Sequence, residues 1–307
     1  MPCYNYAAYI IEAIESVRAQ TIGDWELLVV DDGSTDGSST LAERVGDPRV
    51  LVVRQTNAGV SVARNAGLAI ARGAFVAFLD ADDLMRPDRL SVALEIFDRA
   101  PTLDAVVANF SRFDHASGQA LGDQFSLIPE WRSLPLEPLP PSHPGGPAAF
   151  RIVDSAARAL ASLPLALAWT QGCLIRRSCI GSAQFPPGIR ISEDSWFLYR
   201  VFQRATVGIV DHDVVRLRRH GNNSFNDPLE SLRPELRMFT ALSEETTSME
   251  HRRAFDAAAA RVRISLGYQC RRRGEFSEAL SWYRAAFATS TTRWAATKGL
   301  VATALRR

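Results

Sequence analysis

An α/β fold, with a mostly parallel sheet flanked by helices and a helical C-terminal extension, is predicted by three features of the 307-residue sequence. Apolar runs such as LLVV (27–30) and AFVAFL (74–79) end in carboxylates, the pattern of strands buried on both faces. Segments with helical apolar spacing alternate with these runs, which implies β/α units and parallel pairing. From residue 228 onward only helical periodicity remains.

Taken in order, residues 7–20 carry Tyr9, Ile10, Ile14 and Val17 at helical spacing, and WELLVVDD (25–32) is a buried strand. A two-turn helix is expected near Ser39–Val45 and a strand at Val50–Arg54. SVARNAGLAIARG (61–73) reads as a helix stopped by Gly73, and AFVAFLDADD (74–83) as a second buried strand. RPDRLSVALEIFDRA (86–100) reads as a helix with Pro87 in its first turn and Asp88 complementing the dipole. LDAVVANFSRFD (103–114) is a longer strand that turns at HASG. The Pro- and Gly-rich tract within 119–147 is expected to be irregular, and long tracts of that kind are usually functional. A helix near 148–162, a strand at TQGCLIRR (170–177) and a helix opening at Ser192-Glu193-Asp194 follow. TVGIVDHDVVRLRRH (206–220) reads as two short strands, with DHD as the hairpin turn. Near the C-terminus lies one helix-turn-helix of the tetratricopeptide kind, with Gly274 in its turn and Ala279, Tyr283 and Ala286 at helical spacing. A solenoid needs about three such units, so this is an accessory tail. The shifts in composition divide the chain into 1–118, 119–227 and 228–307.

Composition narrows the chemistry. With 47% hydrophobic and 22% charged residues the chain is an ordinary globular protein rather than a disordered one. A net charge of +1 supplies no field for nucleic acid, which is not expected as a partner. Of 35 Lys and Arg residues only Lys298 is a lysine, so no P-loop, Schiff-base or kinase lysine is available before it. Cys3, Cys173, Cys179 and Cys270 show no CxxC spacing, and reduced thiols in a cytoplasmic protein are expected. LPLALAW (163–169) is too short to span a bilayer.

In an open parallel sheet, ligands bind beyond the carboxyl ends of the strands. Asp31 and Asp32 stand at one such end, and Asp80, Asp82 and Asp83 at another. Either cluster alone also fits turn chemistry or helix capping. Together they would repel unless a cation or a hydrogen-bonding ligand occupied the crevice. Hard oxygen ligands at DxD spacing suit Mg²⁺ or Mn²⁺ that also binds a diphosphate. No GxGxxG and no Walker sequence follows either strand.

PCYN (2–5), a helix ending in AQT (19–21), DWELLVVDDGSTDGS (24–38), NAGVSVARNAGLAIARG (57–73) and FLDADDLMRPDRL (78–90) resemble, in order and spacing, a family 2 glycosyltransferase of the Rossmann-like GT-A fold. GCLIRRS (172–178), ISEDSWFLYRV (191–201) and LRRHGNNS (217–224) match more weakly, and the last eighty or so residues lie outside the resemblance. The resemblance implies inverting transfer from a nucleotide-diphosphate sugar to an acceptor hydroxyl. It implies Tyr4, Asp32, Arg64 and Asp80 at the nucleotide-sugar, with Asp32 near the base, and Asp194 as catalytic base. Asp82 would ligate a divalent cation, Mg²⁺ or Mn²⁺, assisted by His220. Residues 1–118 would bind the donor, 119–227 would carry the acceptor site and the base, and 228–307 would offer a surface for a protein partner. The acceptor would be a glycan, a lipid-linked glycan or a protein, met in the cytoplasm or peripherally at the inner membrane face.

Each residue also has a structural alternative. Tyr4 could be a packing aromatic, Arg64 a solvated charge and His220 polar surface, while Ser192, Glu193 and Asp194 fit a capped first helical turn. Two other functions share part of the pattern. A sugar-phosphate nucleotidyltransferase would need a Gly-rich N-terminal loop with Lys, which is absent; a catalytically impaired scaffold would not need the acidic motifs, which are intact. In the family PCYN follows a central strand of about five residues. The expectation is therefore a first strand cut short, with Met1 lying inside a longer natural protein.

Overall fold

LLVV lies between two parallel neighbours in its sheet. In the computed structural model, which describes residues 1–141, 146–153, 169–189, 192–221, 228–287 and 293–304, β1 (Pro2–Cys3), β2 (Leu27–Asp31) and β3 (Val50–Arg54) form a parallel sheet in that order. Cys3 stands opposite Asp31, and Asp31 opposite Arg54. β1 thus holds two residues of strand, and β4 (Phe75–Ala77) belongs to a second sheet.

That second sheet contains β5 (Leu84–Met85), β6 (Ala105–Asp114), β7 (Ala120–Asp123), β8 (Leu136–Leu139), β9 (Ala149–Ile152), β10 (Cys173–Arg176) and β11 (Val207–Arg219). Its order is β4-β10-β6-β11-β9-β8, with β5 on β11 and β7 on β6. β6 and β11 run parallel, and β10 enters antiparallel between β4 and β6. Helices α1 (Ile10–Arg18), α2 (Ser38–Glu43), α3 (Val60–Ile70) and α4 (Arg89–Arg99) connect the early strands. α5 (Gln124–Leu127), α6 (Arg177–Ile180) and α7 (Glu193–Phe202) follow. One apolar cluster joins Ile14 of α1 and Val29 of β2 to Ile96 of α4, Val106 of β6 and Val215 of β11, so both sheets share a core. These elements make a compact unit over Met1–Gly221.

Four local expectations are corrected. The helix expected near 148–162 begins instead as β9, because β8 and β11 offer it ladders on both edges; residues 154–168 lie outside the described residues. The two strands expected over 206–220 are one 13-residue strand, β11, with register shifts around Asp213. DHD stays in the sheet because β6 holds its acids: Asn109 Nδ2 donates to Asp211 Oδ1 at 2.9 Å and Ser111 Oγ to Asp213 Oδ2 at 2.9 Å. α3 stops at Ile70 rather than Gly73; Ala71 is extended, and the N–H groups of Arg72 and Gly73 donate to the Glu26 carboxylate at 2.7 and 3.1 Å. Pro87 precedes the N-cap of α4 rather than lying in its first turn. Asp88 is that N-cap residue, at the end of the helix where its charge complements the dipole, and its carboxylate lies 2.7 Å from His212 Nε2. The tract after 119 also holds short elements, β7, α5, a 3₁₀ turn at Pro129–Ser133 and β8.

The end of β4 is secured by a buried arginine. Beyond the last β4–β10 pair, Ala77 with Leu174, the chain leaves the ladder toward Asp80. Arg89, 2% exposed, donates from Nη1 and Nη2 to Phe78 O at 3.1 Å and from Nη2 to Cys173 O at 3.2 Å. Burial pushes its guanidinium down to about 10, still charged at neutral pH. Arg89→Met leaves two buried carbonyls without these donors, each worth about 1–3 kcal/mol. A destabilisation of about 2–4 kcal/mol is expected, lowering the thermal midpoint by about 5–10 °C. Differential scanning calorimetry checks it, and an unchanged midpoint rejects the role.

Asn222–Arg307 forms a second compact unit, with α8 (Pro228–Glu245), α9 (Met249–Arg272), α10 (Phe276–Phe287) and α11 (Arg293–Ala304). Gly274 turns α9 into α10 at φ +80°, which only glycine adopts without strain. The Tyr283 ring lies against Gly267 of α9 and Gly299 of α11, where a Cβ would come within 2.9 and 2.3 Å of it. Among the described residues no helix is long and apolar enough to cross a membrane.

Candidate active site

The loops after β1 and β2 are stitched together. Asn5 N donates to Ser34 Oγ and Tyr6 N to Ser38 Oγ, both at 2.9 Å, and Thr35 N donates to Asn5 Oδ1 at 2.8 Å. Asn5 takes φ +59° there, and Tyr4 is left 48% exposed, so it is no packing aromatic. Asp31 makes an ordinary turn, accepting from Ser34 N at 3.1 Å. Asp32 is buried and receives the start of α3: Ala58 N donates to Oδ1 and Gly59 N to Oδ2 at 2.8 Å, and Gln55 Nε2 to Oδ1 at 2.7 Å. Three of about four lone-pair sites on this carboxylate are thereby engaged.

After β4 the chain delivers three acids to the crevice. Asp80 accepts from Arg64 Nη2 at 2.9 Å on Oδ1 and from Gln171 Nε2 at 2.5 Å on Oδ2. Asp82 Oδ2 lies 3.1 Å from His220 Nε2. Asp83 Oδ1 accepts from Arg218 N at 2.8 Å. Burial raises the Asp82 and Asp83 carboxyls, and the neighbouring acids add to it; for Asp82 the bond to His220 opposes the shift. The Tyr6 phenol is also raised, first by burial and then by Asp82, Asp80 and Asp83, so this ring belongs to the acidic crevice. Its only sequence signal is an aromatic two positions beyond Tyr4.

β11 brings the opposite wall. Arg218 Nε donates to Asp82 O at 2.8 Å and Nη2 to Glu12 Oε2 at 2.6 Å, tying the acidic turn to α1. The His220 side chain is 5% exposed and stacks on Tyr9 with ring centroids 4.7 Å apart, so it is not polar surface.

At the start of α7, Glu193 Oε1 accepts from Arg64 Nη1 at 2.6 Å and Asp194 Oδ1 from Ser195 N at 2.7 Å. Ser192 is the N-cap residue of α7, as read, but sits at φ +70° and its side chain makes no capping hydrogen bond. Arg64 is not a solvated charge: its side chain is 4% exposed and spans Asp80 and Glu193. Burial raises Glu193 to about 7, opposed by Arg64 and reinforced by Asp194. Asp194 is raised by burial too, with Arg64 opposing. Tyr4, Asp32, Arg64, Asp80, Asp82, Asp194 and His220 all lie in the first unit, and direct bonds join Arg64 to Asp80 and Asp82 to His220. Sequence reasoning missed Tyr6, Gln171 and the Arg64–Glu193 pair.

The raised carboxyls have a stability signature. Between its ordinary value near 4.5 and about 7, Glu193 holds its proton in the folded chain and loses it in the unfolded one. Stability is therefore expected to fall as pH rises through that window, by up to about 3 kcal/mol. The lowered acids Glu26, Asp36, Asp114 and Asp123 act in the other direction, but their contribution is already complete above about pH 5. Thermal melts from pH 5 to 7.5 should show a declining midpoint that flattens in Glu193→Gln; a rising midpoint contradicts the assignment.

Residues 1–159, just over half of the chain, match glycosyl transferase family 2. An uncharacterized glycosyltransferase of Rickettsia felis is 29% identical over 230 residues, covering 74% of this chain and 34% of that protein. The chondroitin synthase of Escherichia coli is 34% identical over 116 residues, 37% of this chain and 17% of that protein. The chain thus spans about a third or less of the length of these two relatives. Among solved structures, S. aureus TarS 1–349 in complex with UDP-GlcNAc superposes with a TM-score of 0.66 at 16% identity, covering 98% of this chain and 87% of that one. That likeness speaks for the fold, which is the α/β GT-A architecture. With more than half of its residues inside the family match, the chain belongs to glycosyl transferase family 2.

Proposed function

We propose that this chain transfers a sugar from a nucleotide-diphosphate sugar to an acceptor hydroxyl with inversion at the anomeric carbon. The observation that carries the proposal is the convergence of Asp80 and the Glu193-Asp194 pair on one buried arginine, Arg64, beside the Asp82–His220 pair. The UDP-GlcNAc held by TarS supports a nucleotide-sugar donor. Tyr4, Asp32 and Asp80 bind that donor within residues 1–118, and 119–227 carry the acceptor site and the base. Arg64 acts there by orienting Asp80 and Glu193, since both of its Nη atoms are engaged by them.

Asp194 accepts the proton of the attacking hydroxyl. Its raised carboxyl holds a proton more tightly than an ordinary aspartate, which brings its basicity toward neutral pH. Oxygen from Asp82 and one imidazole from His220, two groups already in contact, fit Mn²⁺ or Mg²⁺. Asp82 and His220 would hold such a cation, which would supply positive charge beside the departing diphosphate. Exposed Tyr4 is suited to stacking on a base, and Asp32 has a lone pair left to accept from it. The acceptor is a glycan, lipid-linked glycan or protein met in the cytoplasm or at the inner membrane face, and the helical unit is a docking surface for a protein partner. Incubation with a panel of UDP-, GDP- and dTDP-sugars, scored by nucleoside diphosphate release with and without Mn²⁺, tests the proposal. Release from none of them rejects it.

A further inference from the structure

Asp80 is held from two sides, and only one of the two holders belongs to a recognised motif. Arg64 Nη2 takes Oδ1 at 2.9 Å; the amide of Gln171 takes Oδ2 at 2.5 Å. The amide orientation is chemically determined, because a carboxylate oxygen can only accept and must therefore face Nε2. Thr170 Oγ1 lies 3.3 Å from Gln171 Oε1 and can donate to it, in agreement with that orientation. Gln171 is 6% exposed and Thr170 fully buried.

The turn that carries this amide is immobilised against β6. Gly172 N donates to Trp169 O at 2.9 Å, and a Cβ at Gly172 would come within 2.7 Å of Ala108 O and 3.3 Å of Phe110 Cδ1. Cys173 then pairs with Val107 in the sheet. Gln171 therefore reaches Asp80 from a rigid turn, with little freedom lost in making the bond. Asp80 keeps a 28% exposed side chain, so a ligand can approach the carboxylate edge that the two donors leave open.

We propose that Gln171 is a positioning residue for donor binding: with Arg64 it holds the Asp80 carboxylate in one orientation, so the donor site is complete only when the Thr170–Gly172 turn is seated on β6. This rests on Asp80 contacting the donor, and it makes a residue of the 119–227 half part of the donor site. The class of ligand is a nucleoside diphosphate or its sugar conjugate.

The test is a double-mutant cycle on nucleotide affinity. Wild type, Gln171→Met, Asp80→Asn and the double variant are titrated calorimetrically with UDP, GDP and dTDP in Mn²⁺ buffer, with thermal midpoints as a folding control. Methionine keeps the length and the packing of glutamine and removes the donor. Gln171→Met is expected to weaken the nucleotide bound by wild type about 10-fold, with KM for the sugar donor rising and kcat nearly constant. In the Asp80→Asn background the same change should add less than 2-fold, because Gln171 acts through Asp80. Gln171→Glu, which sets a carboxylate against Asp80, is the second variant and should weaken affinity further. If wild type binds and both Gln171 variants bind equally well, the positioning role falls while the transferase proposal stands. Independent, multiplying losses in the cycle overturn it as well. If wild type binds no nucleoside diphosphate, donor contact at Asp80 and the positioning role fall together.

Discussion

Asp194→Asn is expected to lower kcat by about 10³-fold while leaving nucleotide affinity within about 2-fold of wild type. The amide cannot accept the hydroxyl proton, yet it preserves the shape of the first turn of α7 and can still accept from Ser195 N. Steady-state transfer kinetics and calorimetric nucleotide binding check the two halves, and retained turnover would remove Asp194 as the base. The pH dependence adds a sharper requirement. Glu193 and Asp194 are adjacent, both raised, and share Arg64, so they titrate as a pair. As the proposed base, Asp194 must be unprotonated to act, so activity should fall as pH drops through its carboxyl, which burial raises above the ordinary aspartate value. Glu193→Gln removes the neighbouring negative charge while still accepting from Arg64. The acidic limb should then move to lower pH, since Arg64 favours the ionised form of Asp194 without competition. A limb that stays where it was would show that the pair is not coupled in this way.

Asp82→Asn carries the second large effect. Asp82 is buried beside Asp80 and Asp83, and its carboxyl is raised because burial and its neighbours disfavour the charge. A cation relieves that repulsion, so Mn²⁺ is expected to stabilise wild type and to strengthen nucleotide binding. In Asp82→Asn both effects should vanish and kcat/KM should fall on the order of 100-fold or more. His220→Gln should cost roughly 10–100-fold, because the Asp82 partner is lost but the carboxylate remains. Titrations with Mn²⁺ and with chelator measure the difference. Nucleotide binding by wild type that is the same in both would reject a cation at this position.

Most of the scaffold could be read locally. The LLVV run gave β2 because a strand buried on both faces cannot carry polar residues in its middle. VLVVR gave β3 through its β-branched residues, although this edge strand is partly exposed, with Leu51 at 51%. The apolar spacing of α1 marked its buried face, where Ile10, Ile14 and Val17 are joined by Ala13. β9 and β11 were read wrongly for one reason. AFRI becomes a strand because two neighbours offer it ladders, and DHD stays in a strand because Asn109 and Ser111 hold its acids. Neither neighbour is visible in the local text.

The sequence by itself determined the order of β/α units, the acids at the strand ends and the motif spacing that identifies the family, all features set within a few residues of chain. The tertiary structure decided what those acids touch. Arg64 meets Glu193 across 129 positions, Gln171 meets Asp80 across 91, and His220 meets Asp82 across 138. Such contacts have no periodicity or spacing to betray them, because they arise only where two strand ends and a helix start converge. The raised carboxyls follow from the same convergence: burial and like charge are properties of the crevice, and no single segment of the chain contains it.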